Sequence, residues 1–334
     1  MDPAPTCYDP AVISPPGFAI DVVPEDPHAV LESLREGLTR SPREISPRFF
    51  YDDVGSRLFE EITELPEYYP TRTEEVILRA CAADVVLRSC PETLIELGPG
   101  AAMKTRLLLD AMQKAGSLRT YVPFDVSESM VRRVASELLG EYPNLEVHGV
   151  VADFAHHLDR LPPRKRQLCI FLGGTIGNFR PAEAARFLRH LARRLLPGDH
   201  FLLGTDLVKP VARLEAAYND AAGVTAAFNR NVLQVVNRLT GGNFDPERFA
   251  HRAVYNAGAA WIEMWLTSTD RQHVSLPGID LEFTIERGEE ILTELSAKYD
   301  RPRVDALVAG AGLEMVQFYT DPENLFALSL SRKL

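Results

Sequence analysis

Cysteine is scarce in this sequence. Its four residues, Cys7, Cys81, Cys90 and Cys169, show no CxxC spacing and no histidine at a ligand interval, so neither a zinc site nor a disulfide framework is suggested. A reducing compartment is expected. No run of about eighteen apolar residues occurs, and the acidic, proline-rich start "MDPAPTCYDPAVISPPG" has no basic or apolar leader signal. The expectation is a cytoplasmic chain with no membrane partner. Positive charge is also thin: the formal net charge is -11, and groups such as "PPRKRQ" are short enough to be solvated loops. That excludes the basic stripe a nucleic-acid partner requires.

What is present is ordinary globular material, 334 residues with 46% hydrophobic and 25% charged, enough for two cores. The first twenty residues carry five of the 24 prolines, and residues 1–24 read as an extended arm. A helix follows across "DPHAVLESLREGLTR". Tyr51, Phe59, Tyr68 and Tyr69 then crowd a segment that alternates helix and turn signals.

From residue 93 the chain alternates apolar strands with helices: "TLIELG", a helix over 103–114, "TYVPFD", a helix over 127–139, "LEVHGVVAD", "QLCIFLGGTIGN", a helix over 181–196, and "HFLLGTDLV". This pattern predicts an α/β fold with a mostly parallel sheet covered on both faces. Ligands in such sheets sit beyond the carboxyl ends of the strands, which selects Gly98, Asp125, Asp153 and the Gly173–Asn178 loop. Past residue 208 the rhythm breaks. One long helical stretch runs to Gly241, and "AGAAWIEMWLTS" with "QHVSLPGIDLEFTI" reads as antiparallel strands joined by a turn. The last segment suits a helix and a β-hairpin completing the first sheet.

The turn "ELGPGAAMKT" resolves what the strands hold. A phosphate-binding GxxxxGK[ST] loop needs glycine before the lysine, and a dinucleotide GxGxxG turn needs its third glycine at the same place; Met103 stands there. S-adenosylmethionine has no phosphate and asks instead for close backbone approach and for acids. Glu96 ends the first strand; Asp125 ends the second, where a carboxylate can accept from both ribose hydroxyls; Asp153 can accept from the adenine amine while Phe154 packs on the ring, and Lys104 would face the donor's carboxylate.

Long motifs carry a closer resemblance. "FFYDDVGSRLFEEITELPEYYPTRTE", "ELGPGAAMKTRLLLDA", "YVPFDVSESM", "FLGGTIGNF", "AAYNDAAGVTAAFNRNVL", "WIEMWL" and "GEEILTELSAKY" resemble the histidine Nα-methyltransferases of ergothioneine biosynthesis over nearly the whole chain after the arm. The resemblance implies a class I, Rossmann-like methyltransferase core (73–207 and 299–334). It adds a second α/β, substrate-binding domain formed by the N-terminal segment and an insertion (25–72 and 208–298). It implies S-adenosylmethionine as co-substrate without a metal, L-histidine and its mono- and dimethylated forms as acceptors, and hercynine as product; a monomer is expected. Donor contacts map onto Tyr68, Gly98, Lys104, Asp125, Asp153 and Phe154. Acceptor contacts map onto Tyr51, Phe59, Asn178, Tyr218, Met264, Glu294 and Ser296, with Tyr51 and Phe59 closest to the chemistry.

These types suit the chemistry. Asn178 and Tyr218 can fix a carboxylate without adding charge. Glu294 and Ser296, two apart, share one face if their segment is extended, and can hold the imidazole nitrogens. Aromatic faces attract an amine becoming a quaternary ammonium. No dedicated base is evident, and Tyr51 or water is expected to take the proton. Two alternatives stand beside this: a methyltransferase for another amino acid such as a tryptophan derivative, and a non-catalytic S-adenosylmethionine sensor.

Overall fold

The computed structural model describes residues 17–100, 102–162 and 166–334. The chain opens with β1 (Phe18–Val22), α1 (Pro27–Thr39), β2 (Arg43–Glu44), α2 (Asp53–Glu64) and α3 (Tyr69–Ser89). The alternating section runs β3 (Thr93–Leu97), α4 (Thr105–Lys114), β4 (Thr120–Asp125), α5 (Glu128–Glu141), β5 (Glu146–Val151), β6 (Gln167–Phe171), α6 (Pro181–Ala192) and β7 (His200–Asp206). An interruption carries α7 (Val211–Ala216), α8 (Val224–Thr240), β8 (Phe249–Asn256), β9 (Trp261–Ser268), β10 (Gln272–Leu276), β11 (Leu281–Ile285) and β12 (Glu290–Ala297). The chain closes with α9 (Arg301–Gly310), β13 (Leu313–Thr320) and β14 (Phe326–Lys333).

Strands buried on both sides must lie side by side beneath helices. Eight strands form one sheet in the order β1-β5-β4-β3-β6-β7-β14-β13, the inner ones buried and all parallel except for the antiparallel hairpin β13–β14 at one edge. This is the expected α/β, Rossmann-like core with a mostly parallel sheet. The order reverses at β3, which has β4 on one side and β6 on the other, so the crevice beyond their carboxyl ends is the natural ligand position. One face packs Leu94, Tyr121 and Leu168 against Leu78, Leu108 and Val134 of α3, α4 and α5. The other packs Ile95, Val122 and Phe171 against Leu188 of α6 and Val304 of α9. A third cluster joins Leu34, Phe50 and Ile62 from the start of the chain to Val232, Ile262 and Leu266 of the interruption. No helix among the described residues is long and apolar enough to cross a membrane.

Three expectations are corrected. Residues 1–16 lie outside the described residues, but Phe18–Val22 is no loose arm: it pairs in parallel with Val147–Val151 as the edge strand of the main sheet. The long helix predicted after residue 208 is two helices, because the Asp220 carboxylate accepts from the N–H groups of Val224 and Thr225, both at 2.8 Å, and caps α8 afresh after Gly223. The strand containing "WIEMWLTS" does not pair with "QHVSL"; β10 and β11 form their own hairpin, while β9 lies between β8 and β12 in a four-stranded sheet ordered β2-β12-β9-β8.

The interruption is fastened to the core where β12 passes the turn after β6. A Cβ on Gly177 would stand 2.9 Å from the Ala297 carbonyl oxygen and 3.1 Å from its nitrogen, both backbone atoms of β12. Gly177→Ala is therefore expected to cost about 1–3 kcal/mol, the usual range for overpacking, read as a lowered urea midpoint. Gly140→Ala in α5, where nothing lies within 4 Å, serves as control and should be neutral or stabilising.

Candidate active site

Above the carboxyl ends of β6 and β7 lies a cavity of about 530 Å³, its open mouth included. Its lining is a compact set of side chains, the scale of a small-molecule site and not of a macromolecular surface. Tyr51, Phe59, Asn178, Tyr218, Met264, Glu294 and Ser296 all border it. They come from four places: the turn before α2 and α2 itself, the turn after β6, the segment after α7, and the paired strands β9 and β12.

The pleat of β12 sets Glu294 and Ser296 on one face. Between Leu292 and Glu294 the register with β9 shifts, so Glu294 faces Met264 directly across the ladder. The extra residue, Thr293, turns away and donates to Asn229 Oδ1 at 2.6 Å and to the Met264 carbonyl at 3.1 Å. Asn229 in turn meets His251 Nδ1 at 2.8 Å, and His251 Nε2 meets the Tyr218 carbonyl at 2.8 Å. Since a carbonyl only accepts, Nε2 carries the proton and the ring is held in one tautomer. Burial pushes this histidine down, consistent with a neutral structural role.

Aromatic rings make the opposite wall. Tyr51 meets Phe59 edge-on at 5.8 Å, Phe59 meets Tyr68 at 6.2 Å, and Tyr68 meets Tyr218 at 6.4 Å. Tyr68 was expected among the donor contacts; the structure sets it in this same cavity wall. Ile62, Thr225 and Phe228 complete the wall, and no local signal in the sequence distinguishes them from core residues.

Glu294 is pushed up to about 7 by burial, with the Lys298 charge opposing. Tyr51 is driven well above the ordinary phenol range by burial first, then by the charges of Glu294 and Asp125. The shift favours the protonated hydroxyl of Tyr51, which can then act as a hydrogen-bonding group.

The donor-side residues follow β3, β4 and β5. Gly98 and Gly100 adopt left-handed φ of 72° and 50°, and a Cβ on Gly100 would meet nothing within 4 Å. Next to Gly98 stands Phe154, whose ring contacts Phe124, Phe171 and Phe187. Asp125 accepts from Ser127 N–H at 2.9 Å and is pushed up to about 6 by burial. Asp153 accepts from Ala155 N–H at 2.8 Å, with Arg48 at 3.8 Å.

Two side chains are engaged differently from the sequence reading. Lys104 pairs with the buried Glu74, whose carboxylate also accepts from Gly173 N–H at 2.9 Å, so its charge is already matched within the protein. Glu96 points inward, taking bonds from Thr105 Oγ1 at 2.6 Å and Tyr121 Oη at 2.5 Å, and burial pushes it up to about 7. Asp125 and Asp153 thus stand at the ends of β4 and β5 as hydrogen-bond acceptors, Asp153 with the Arg48 charge beside it. Among the described residues, no group of three or more His, Cys, Asp or Glu could hold a metal ion.

Comparison with known proteins agrees with this chemistry. The model of a family described as "Histidine-specific methyltransferase, SAM-dependent" matches residues 30–333. The histidine N-alpha-methyltransferase of Mycolicibacterium smegmatis is 50% identical over 91% of this chain and 94% of its own length. That of Mycobacterium tuberculosis is 48% identical over 91% and 95%. More distantly, the 4-dimethylallyltryptophan N-methyltransferase easF of Aspergillus fumigatus is 28% identical over 88% of this chain and 91% of its own. With the match running through both halves of the cavity, the chain belongs to the S-adenosylmethionine-dependent, histidine-specific methyltransferase family.

Proposed function

We propose that this protein transfers methyl groups from S-adenosylmethionine to the α-amine of L-histidine, three in succession, giving hercynine, the first step of ergothioneine biosynthesis. The observation that carries this is one cavity in which the acid Glu294 and the hydroxyls of Ser296 and Tyr218 stand opposite aromatic rings, beside an acidic donor crevice. Glu294 and Ser296 hold the imidazole, with Met264 shaping the pocket around it. Asn178 and Tyr218 hold the carboxylate. Tyr51, Phe59 and Tyr68 surround the amine. Gly98 lets the donor approach the backbone, Asp125 takes the ribose hydroxyls, and Asp153 with Phe154 receives the adenine. Lys104, bound to Glu74, supports the donor turn and is assigned the donor's carboxylate as a second partner.

The transfer is a displacement at carbon: the amine lone pair forms the N–CH3 bond as the S–CH3 bond breaks and its electrons return to sulfur. Charge moves from sulfonium to ammonium, so the residues above act by alignment and by excluding water. Before each of the three transfers a proton must leave nitrogen, so that the amine attacks as the free base, and water takes it. In domain terms, 73–207 with 299–334 forms the methyltransferase core, and 25–72 with 208–298 forms the acceptor domain. We assign a monomer working on cytoplasmic metabolites.

Mass spectrometry of histidine incubated with the protein and S-adenosylmethionine is expected to find a product with three added methyl groups, and none from tryptophan or tyrosine. Unmodified histidine alongside retained donor binding would defeat the reading. Asn178→Ala should raise the KM for histidine about 10–100-fold, the scale of a lost hydrogen bond to a charged group, while calorimetry finds donor affinity unchanged; Asp125→Ala should show the reverse pattern.

A pH series separates Glu294 from its neighbours. Free imidazole gains its proton near pH 6.5 and Glu294 gains its own at about 7. Below that range both partners carry a proton and the acid can no longer take a charge-assisted bond from the ring. Histidine affinity measured by calorimetry is expected to fall as pH drops below about 7 in the wild type. In Glu294→Gln it should be weaker throughout and lack that acid limb.

A further inference from the structure

A group of buried charges lies behind the cavity, unused by the contacts assigned above. The Lys298 side chain is fully buried, and its ammonium donates to Tyr218 Oη at 3.0 Å and Ser296 Oγ at 2.8 Å and pairs with Asp206 Oδ2 at 2.8 Å. An ammonium has three hydrogens and no acceptor, so all of its capacity is spent. Tyr218 Oη and Ser296 Oγ also bond each other at 2.8 Å. These two hydroxyls own two hydrogens between them. One is consumed by their mutual bond, and Lys298 cannot accept the other. It is left for a ligand in the cavity both residues border.

The count has a directional consequence. Were the residue at 298 an acceptor, the second hydroxyl hydrogen would turn inward and the cavity would meet only lone pairs. With an ammonium there, the hydroxyl pair must offer a donor, backed by a positive charge one bond away. Glu294, on the same face of β12, supplies the opposite pole. Tyr218 is held well above the ordinary phenol range by burial and by the charges of Asp206 and Glu294, so its hydrogen is retained.

We propose that Lys298 is a positioning residue for the acceptor: through Tyr218 and Ser296 it aims the one free hydroxyl hydrogen into the cavity and selects ligands that carry an anionic carboxylate there. The inference rests on the cavity being the amino-acid site. It makes Lys298 responsible for which end of the substrate goes where, since the carboxylate is drawn to the Lys298 pole and a protonated ring to Glu294.

Lys298→Met removes both the charge and the donors, and Lys298→Gln keeps a donor but removes the charge and adds an acceptor. Calorimetry with L-histidine and with L-histidinamide, whose carboxylate is replaced by a neutral amide, reads the effect. Either variant is expected to weaken L-histidine about 10–100-fold, to leave histidinamide within about threefold and donor affinity unchanged. Combined with Tyr218→Phe, it should add little, because both act through the same hydroxyl. Equal weakening of both ligands, or full additivity with Tyr218→Phe, would overturn the proposal and leave Lys298 a structural ion. If neither variant folds, the wild type decides: histidine must bind at least tenfold tighter than histidinamide, and equal affinities overturn it. Absence of methylated histidine from the wild type would instead remove the reading of the cavity itself, a separate outcome.

Discussion

The carboxylate of Asp206 is where the two halves of the molecule are joined. It ends β7, buried, and takes hydrogen bonds from Tyr69 Oη at 2.8 and 2.9 Å, at the start of α3. Lys209, at the entrance to the interruption, and Lys298, at its exit, both pair with it. Burial alone would raise this carboxyl; the two ammonium charges and their hydrogen bonds outweigh that and hold it below the usual range. Lys209 feels the same burial and is pushed down to about 8. Buried ion pairs add little net stability once desolvation is counted, but leaving one partner unmatched is strongly unfavourable. The arrangement therefore works as a register pin. Only when entrance and exit lie side by side are all the charges matched, and the backbone repeats the constraint: Tyr299 N–H donates to the Asp206 carbonyl and Val208 N–H to the Tyr299 carbonyl, each at 2.8 Å.

From that pin the acceptor wall is built outward. Fixing the exit fixes the end of β12, and with it Ser296 and Glu294. The bulge at Thr293 brings Glu294 opposite Met264, and the Thr293–Asn229–His251 relay holds the Tyr218 backbone from behind. On the core side, Glu74 does the equivalent for the donor turn, since one carboxylate binds both Lys104 and the Gly173 amide. Donor turn and acceptor loop thus share a support, and their separation is set by rigid elements rather than by the loops themselves.

How much of this was readable in the chain depends on the range of the interaction. Strand-end positions such as Gly98, Asp125 and Asp153 follow from alternation, because a parallel sheet leaves only one end for ligands. Gly241 was legible as a helix end since its left-handed φ of 67° is a local demand that glycine meets. Asp220 is local too, yet its capping role was hidden by helix-like periodicity on either side. The pairing of β9 with β8 and β12, by contrast, was not legible. Apolar alternation tells a strand which face is buried, not which of several strands will lie beside it. Lys298 and Glu74 escaped for a related reason. A single charged residue in a helix, such as Glu74, or just past the end of a strand, such as Lys298, has no period, and its partner is chosen by the fold. Most substrate residues entered through resemblance of long motifs; only the strand-end loop that holds Asn178 and the two-residue step from Glu294 to Ser296 had a positional reading of their own.

Repeated methylation places one further demand on such a site. With each transfer the amine loses a hydrogen and gains bulk, so a pocket that gripped nitrogen through its N–H groups would release the intermediates early. In the orientation proposed for the substrate, Glu294 and the Tyr218–Ser296 pair meet the imidazole and carboxylate, while Tyr51, Phe59 and Tyr68 line the part of the cavity left to the amine. Ring faces attract a cation through their quadrupole whether or not it has a hydrogen to give. The hold on the substrate is then nearly independent of the number of methyl groups, and what changes between rounds is the free volume around nitrogen.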